Sequence, residues 1–215
     1  MKNLIKALIL VALSAFLFNV QTTNAQIKSP ENKFGEEVLT LKKREFKMTS
    51  LAFGGVGVKF TNLNGQFTLM NGGRGSATFN NRFTIGGGGW GMPKGIELES
   101  SRKDTFEFFK MGYGGLELGY IVYPGDKIKV GTNLLVAYGA GFKETIPKSK
   151  NGDFKMFPVL EPSLYSQISL GKMLRLDLGI TYRHVSAVDF PYISSKKLNG
   201  FSFYVAFLVG ACKCD

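Results

Sequence analysis

Three features of the sequence predict an all-β chain, an eight-stranded antiparallel up-and-down transmembrane β-barrel. Apolar and polar residues alternate with period two through eight successive segments beyond residue 50, as strands with two unlike faces require. The connections between those segments alternate between tight turns and longer polar stretches, the pattern of a barrel that turns short on one side of a membrane and loops out on the other. Glycine (27) and phenylalanine (19) are abundant, and no helical period of comparable length competes. The glycines follow no triplet period and there are only 7 prolines, which excludes collagen. With 44% apolar and 20% charged residues the chain is not disordered in the main, and 215 residues suit one large domain.

Residues 1–25 have the three parts of a secretory signal peptide. Lys2 and Lys6 supply the positive start, an apolar run follows from Ala7 to Phe18, and Thr23-Asn24-Ala25 offers small residues for cleavage. The run is too short to span a bilayer as a helix. Residues 26–50 form a polar linker with Pro30 and the basic run Lys42-Lys43-Arg44, and residues 51–215 are the barrel. Loss of the leader removes two lysines and no acid, so 25 basic and 16 acidic residues leave a formal +9. An exported protein rarely meets nucleic acid, so no nucleic-acid partner is expected. Outer-membrane lipid and lipopolysaccharide are the expected counter-charge.

The candidate strands are residues 51–60, 67–79, 83–91, 108–123, 128–142, 159–170, 174–186 and 198–211. Asn80-Asn81-Arg82, Pro124-Gly125-Asp126 and Gly171-Lys172-Met173 are the tight turns. Residues 61–66, 92–107, 143–158 and 187–197 are the opposite, mostly longer connections. Odd strands then run outward and even strands return, which leaves both termini in the periplasm.

The seventh segment shows the two faces most cleanly. Leu174, Leu176, Leu178, Ile180 and Tyr182 share one face, and Arg175, Asp177, Gly179, Thr181 and Arg183 the other. A soluble, lipocalin-like periplasmic barrel would turn the apolar face inward, whereas a membrane barrel turns it to lipid. Glycines share the charged face, as a crowded lumen favours, and aromatics gather near strand ends as interfacial girdles do. The charged face is therefore assigned inward, with Lys59, Arg74, Glu117, Lys129, Glu161, Arg175, Asp177 and Arg183 as an interior polar network. Placing Leu170 opposite Leu174 across the last tight turn sets Glu161 opposite Arg183 and Gln167 opposite Asp177. Eight strands enclose a space that side chains fill, so these charges are expected to plug the barrel and no conducting pore is expected.

Few motifs carry chemistry. Gly86-Gly87-Gly88-Gly89-Trp90-Gly91 satisfies G-x-G-x-x-G, but a dinucleotide site needs a helix next, and Met92-Pro93-Lys94-Gly95 begins none. Cys212 and Cys214 have no other cysteine to pair with, and His184 is the single histidine, so neither a metal nor a cofactor is expected. His184-Val185-Ser186 resembles the His-x-Ser element of outer-membrane lipid A 3-O-deacylases, in which the pair acts as base and nucleophile. Ala187 stands where an asparagine commonly follows, and no glutamate occurs after Glu161, which leaves Asp189 to orient the imidazole. The plainer reading is an interfacial histidine within the aromatic girdle.

The body of the chain resembles a family of small Bacteroidetes-type outer-membrane β-barrel proteins. Phe53-Gly54-Gly55, Gly72-Gly73-Arg74-Gly75, Met111-Gly112-Tyr113-Gly114-Gly115-Leu116-Glu117, Leu160-Glu161-Pro162 and Tyr182-Arg183 carry the resemblance. It implies an eight-stranded barrel without assigned chemistry. The expected function is a non-catalytic outer-membrane protein of the Gram-negative cell envelope, structural or interacting through external loops. Those loops hold Lys94, Arg102, Lys103, Lys148 and Lys150, and another envelope or surface protein is a further possible partner. The deacylase-like esterase and the soluble ligand-binding barrel stand as alternatives.

Overall fold

The computed structural model describes residues 48–98, 106–146, 154–186, 189–190 and 193–210. The leader, residues 26–47 of the linker, Arg102, Lys103, Lys148, Lys150, Cys212 and Cys214 lie outside them. Eight long strands carry the fold: β1 (Met48–Leu63), β2 (Gln66–Phe79), β3 (Phe83–Gly91), β5 (Phe106–Pro124), β6 (Ile128–Ile146), β7 (Phe154–Ser169), β8 (Leu174–Val185) and β11 (Gly200–Gly210). Between them lie the short strands β4 (Ile96–Leu98), β9 (Asp189–Phe190) and β10 (Ile193–Ser194), and one helical turn, α1 (Ser195–Leu198). The sheet runs β3-β2-β1-β11-β8-β7-β6-β5, and β3 pairs with β5 to close it. Every long neighbour is antiparallel. The fold is thus a closed eight-stranded antiparallel β-barrel.

The side chains settle which face is which. Val56 (73% exposed), Leu116 (71%) and Ile180 (56%) stand on the outer surface, while Lys59 and Arg183 inside are fully buried (0%). Apolar side chains over the whole outer wall would aggregate in water, and they suit hydrocarbon. A lipocalin-like soluble barrel needs the reverse arrangement, so that alternative fails.

The turns β2–β3, β5–β6 and β7–β8 gather at one end of the barrel, and the longer connections lie at the other. At the turn end, Leu170 N–H donates to Leu174 O at 3.0 Å, and the ladder places Gln167 opposite Asp177. Several boundaries differ from the sequence-based expectation, and β6 and β7 run into residues 143–146 and 154–158, expected to belong to a connection. Residues 61–66 are not a long connection: Leu63 pairs with Gln66 around a two-residue turn at Asn64 (φ 53°) and Gly65 (φ 79°). Positive φ at both positions matches the twist of a hairpin, and Asn-Gly is the dipeptide that adopts it most readily.

The second connection contains structure too. Beyond β3 the chain jogs at Met92–Gly95, where Pro93 has no N–H to give, then resumes pairing with β5 as β4 (Ile96↔Phe109). Leu198, expected to open the last strand, instead ends α1 and is fully buried, and the strand begins at Gly200. Ser186, expected inside the seventh long strand, lies just past its end.

β5 and β6 are 19 residues each, about twice what crosses hydrocarbon at barrel tilt. Their surplus lies at the loop end, so the rim there is uneven: high at β5–β6 and low at the β1–β2 turn.

Candidate functional site

The lumen is layered. At the loop end it is apolar, with Leu63, Met70, Phe109, Met111, Phe157, Val159 and Val185 buried against Phe190, Ile193 and Leu198 from the last connection. Phe109 and Phe190 meet edge to face, with ring centroids 5.4 Å apart. The sequence-based view, which filled the lumen with charge, missed this plug. Its signal was available as Phe190 and Ile193, two apolar residues in the connection 187–197, with Leu198 just beyond it.

Below the plug comes the first ionic layer. Lys59 Nζ donates to Glu161 Oε1 and, at 3.1 Å, to the Tyr113 hydroxyl, which in turn donates to Glu161 Oε2. The ammonium also lies 4.2 Å from the centroid of the Trp90 ring. Towards the turn end, Arg74 bridges two carboxylates: it donates to Glu117 Oε1 and stands 3.5 Å from Asp177 Oδ2. It also donates to the Tyr204 hydroxyl. Asn133 donates to Glu117, Ser163 to Asn133, Gln167 to Asp177 at 2.8 Å, and Arg175 to Gln167 at 2.9 Å. The Arg175 guanidinium stacks over Phe53, 3.4 Å from the ring centroid.

Seven of the eight expected interior residues are thus buried or largely so, and Lys129 is half-buried opposite Gln167 near the turn end. One expected juxtaposition holds in the register without a direct hydrogen bond. The ladder brackets Glu161 and Arg183 between Leu160↔His184 and Ser163↔Thr181, yet each charged group takes its hydrogen bonds elsewhere. Glu161 reaches across the lumen to Lys59, and Arg183 turns upward to Leu198 O (2.9 Å), Thr61 Oγ1 (3.1 Å) and Met70 Sδ (3.5 Å). Strand register fixes neighbours along the wall, but a lumen one side chain wide lets a charge choose a partner on the far wall. Among the described residues, Thr181 Oγ1 is the only buried side-chain polar atom without a hydrogen-bond partner. The free space between Arg74, Tyr165, Gln167, Arg175 and Asp177 is about 10 Å³, no more than one water needs.

The lumen glycines have a use in this packing. A Cβ on Gly139 would come within 2.6 Å of the Phe157 ring, and one on Gly179 within 2.4 Å of the Tyr204 ring. These large aromatics lie over backbone that carries no side chain.

The His-x-Ser element stands outside the barrel wall. His184 is exposed on the outer face opposite Leu160, and the Ser186 N–H donates to Pro158 O at 3.2 Å. Among the described residues no hydrogen bond joins the imidazole to the Ser186 hydroxyl. The Asp189 backbone pairs with Ser194, and the Asp189 side chain lies outside what the structure describes.

A groove opens at the low side of the loop-end rim. It encloses about 450 Å³ between Asn62, Asn64 and Gly65 of the β1–β2 hairpin and Lys196, Lys197 and Asn199 beside α1. The two walls are tied, because Asn64 N–H donates to Lys197 O at 2.9 Å. Asn199 is anchored by Val185 N–H, which donates to its Oδ1 at 2.6 Å.

No protein-family model and no curated protein matches the chain. Similar solved structures include Ail, the attachment invasion locus protein of Yersinia pestis, at 12% identity and TM-score 0.48, covering 74% of this chain and 96% of that one. Ail in complex with the heparin analogue sucrose octasulfate gives 13% identity and TM-score 0.49, with 74% and 96% covered. Neisserial surface protein A (NspA) gives 13% identity and TM-score 0.49, with 74% and 95% covered.

Proposed function

We propose that the chain is a non-catalytic outer-membrane protein, of the small Bacteroidetes-type barrels it resembles, which holds a rigid platform in the membrane and interacts through its loop end. One observation carries this reading: the apolar side chains face out, while the buried cations and carboxylates inside are locked to one another. That inversion fits a wall in lipid. A lumen packed with apolar side chains at the loop end and paired charges below them argues against transport, so the surface left for function is the outer rim. Lipopolysaccharide of the surrounding leaflet, or another envelope or surface protein, is the partner this rim would meet. The turn end faces the periplasm, in keeping with an exported chain whose leader is cleaved.

The test is fractionation of native cells. The mature protein should stay with outer membranes through carbonate washing and run as a faster, heat-convertible band on gels. Recovery as a soluble periplasmic species would end the proposal. Shortening residues 147–153 should spare insertion and alter surface binding, and unchanged binding after every outer connection is trimmed would leave only a structural role.

A further inference from the structure

The outer wall beneath the rim groove carries a cluster of aromatic rings. Phe60 stacks on Phe67 and on Phe203, with centroids 6.4 and 6.3 Å apart, and Tyr182 meets Phe201 edge to face at 5.0 Å. All four phenylalanines are exposed. Asn62 lies on the same outward face, paired with Phe67 on β2 and one step beyond the Thr61↔Ser202 pair with β11. An exposed amide among exposed phenylalanine rings marks the level where hydrocarbon gives way to headgroups.

Directly above that level sits the groove, and its chemistry is one-sided. Lys196 and Lys197 are exposed, and neither has a carboxylate partner among the described residues. Asn62, Asn64 and Asn199 add amide groups that both donate and accept, the complement of hydroxyls on a sugar. With Asn199 Oδ1 held by Val185 N–H, its NH₂ remains as the donor that this residue can offer. The bond from Asn64 N–H to Lys197 O holds hairpin and helical turn together, so the groove is formed before anything enters it. Its volume of about 450 Å³ is within the usual range for small-molecule sites.

We infer that this groove binds the phosphorylated sugar headgroup of an anionic glycolipid, with Lys196 and Lys197 on the phosphate, the three asparagines on the sugar, and the acyl chains lying against Phe60, Phe67, Phe201 and Phe203. The inference rests on the outer-membrane reading and names the lipid contact of that same rim. A free sugar phosphate would satisfy the lysines and asparagines but would make no use of the aromatic wall.

The experiment uses the full mature chain, purified in detergent and shown to be folded by its heat-convertible band. Native mass spectrometry then measures retention of lipid A bearing two phosphates, of dephosphorylated lipid A, and of glucosamine 1-phosphate. Wild type should retain the first far better than the other two. Lys196→Ala/Lys197→Ala should weaken that retention by about tenfold or more, Asn62→Leu should weaken it less, and Lys172→Ala at the opposite end should leave it unchanged. Equal retention by the folded double variant overturns the inference, as does equal retention of dephosphorylated lipid A. Glucosamine 1-phosphate binding as tightly as lipid A overturns the lipid assignment. These outcomes concern a folded barrel, whereas loss of the protein from carbonate-washed membranes would overturn the outer-membrane reading instead.

Discussion

Arg183 on β8 donates from Nε to the carbonyl oxygen of Leu198, the last residue of α1, at 2.9 Å. One fully buried guanidinium therefore ties the barrel wall to the apolar plug at the loop end, and it also serves Thr61 and Met70. Arg183→Ala removes donors from three buried acceptors and should lower stability by about 1–3 kcal/mol. The folded band should convert at a lower temperature, and protease should reach residues 189–199 sooner than in wild type. Unchanged conversion and proteolysis would show that the plug is held by packing alone.

Lys59 and Glu161 should behave as a unit. Either Lys59→Met or Glu161→Gln leaves one charge uncompensated inside the barrel, a loss of about 3–5 kcal/mol. The double variant should cost much less than the sum of the two. Urea unfolding in lipid vesicles, arranged as a double-mutant cycle, reads the coupling directly. Additive losses would mean that the two groups do not depend on each other.

Gly139→Ala tests the packing of aromatics over bare backbone. Its new methyl would meet the Phe157 ring, and overpacking of this kind costs about 1–3 kcal/mol. Phe157→Leu in the same chain should recover part of that loss. Failure of the second change to help would place the strain in the backbone.

In a planar bilayer the purified protein should give no stable conductance steps, because the lumen is filled on both sides of the Lys59–Glu161 pair. Reproducible single-channel steps from the wild type would contradict the filled lumen.

Ser186→Ala should leave cellular lipid A unaltered, since the imidazole of His184 and the hydroxyl of Ser186 share no hydrogen bond. Mass spectrometry of lipid A from cells with and without the protein is the measurement. An acyl chain lost only when Ser186 is intact would establish the esterase.

Much of the barrel was legible in the sequence for a simple reason. Period-two alternation is a local property, so Leu174 and Arg175 announce opposite faces without knowledge of any other strand, and the turn at Gly171-Lys172-Met173 then sets Gln167 against Asp177. The Asn64-Gly65 hairpin was equally local and was passed over because its flanking polar residues resemble a loop. What could not be reached was anything decided by closure. Whether Glu161 meets Arg183 beside it or Lys59 across the lumen depends on where β1 comes to lie, and no spacing in the sequence states that. The plug made by Phe190, Ile193 and Leu198 is non-local in the same sense, because a loop that folds back into a barrel mouth carries no period of its own. The rim groove likewise joins residues of a hairpin to residues more than a hundred positions later.

The pairing of β1 with β11 has a consequence for assembly. Of the carboxylates locked to cations inside the lumen, Glu117 lies on β5, while Glu161 and Asp177 arrive on β7 and β8. A nascent barrel holding only β1 to β6 would carry Lys59 and Arg74 with Glu117 as their single counter-ion among these groups. β7 and β8 bring the remaining two carboxylates to the open sheet, and the last seam, β1 against β11, closes the wall around the pairs. Insertion should therefore be all-or-none and slow, governed by contacts between the two ends of the chain. Split barrels co-expressed as two halves should accumulate only as the joined pair.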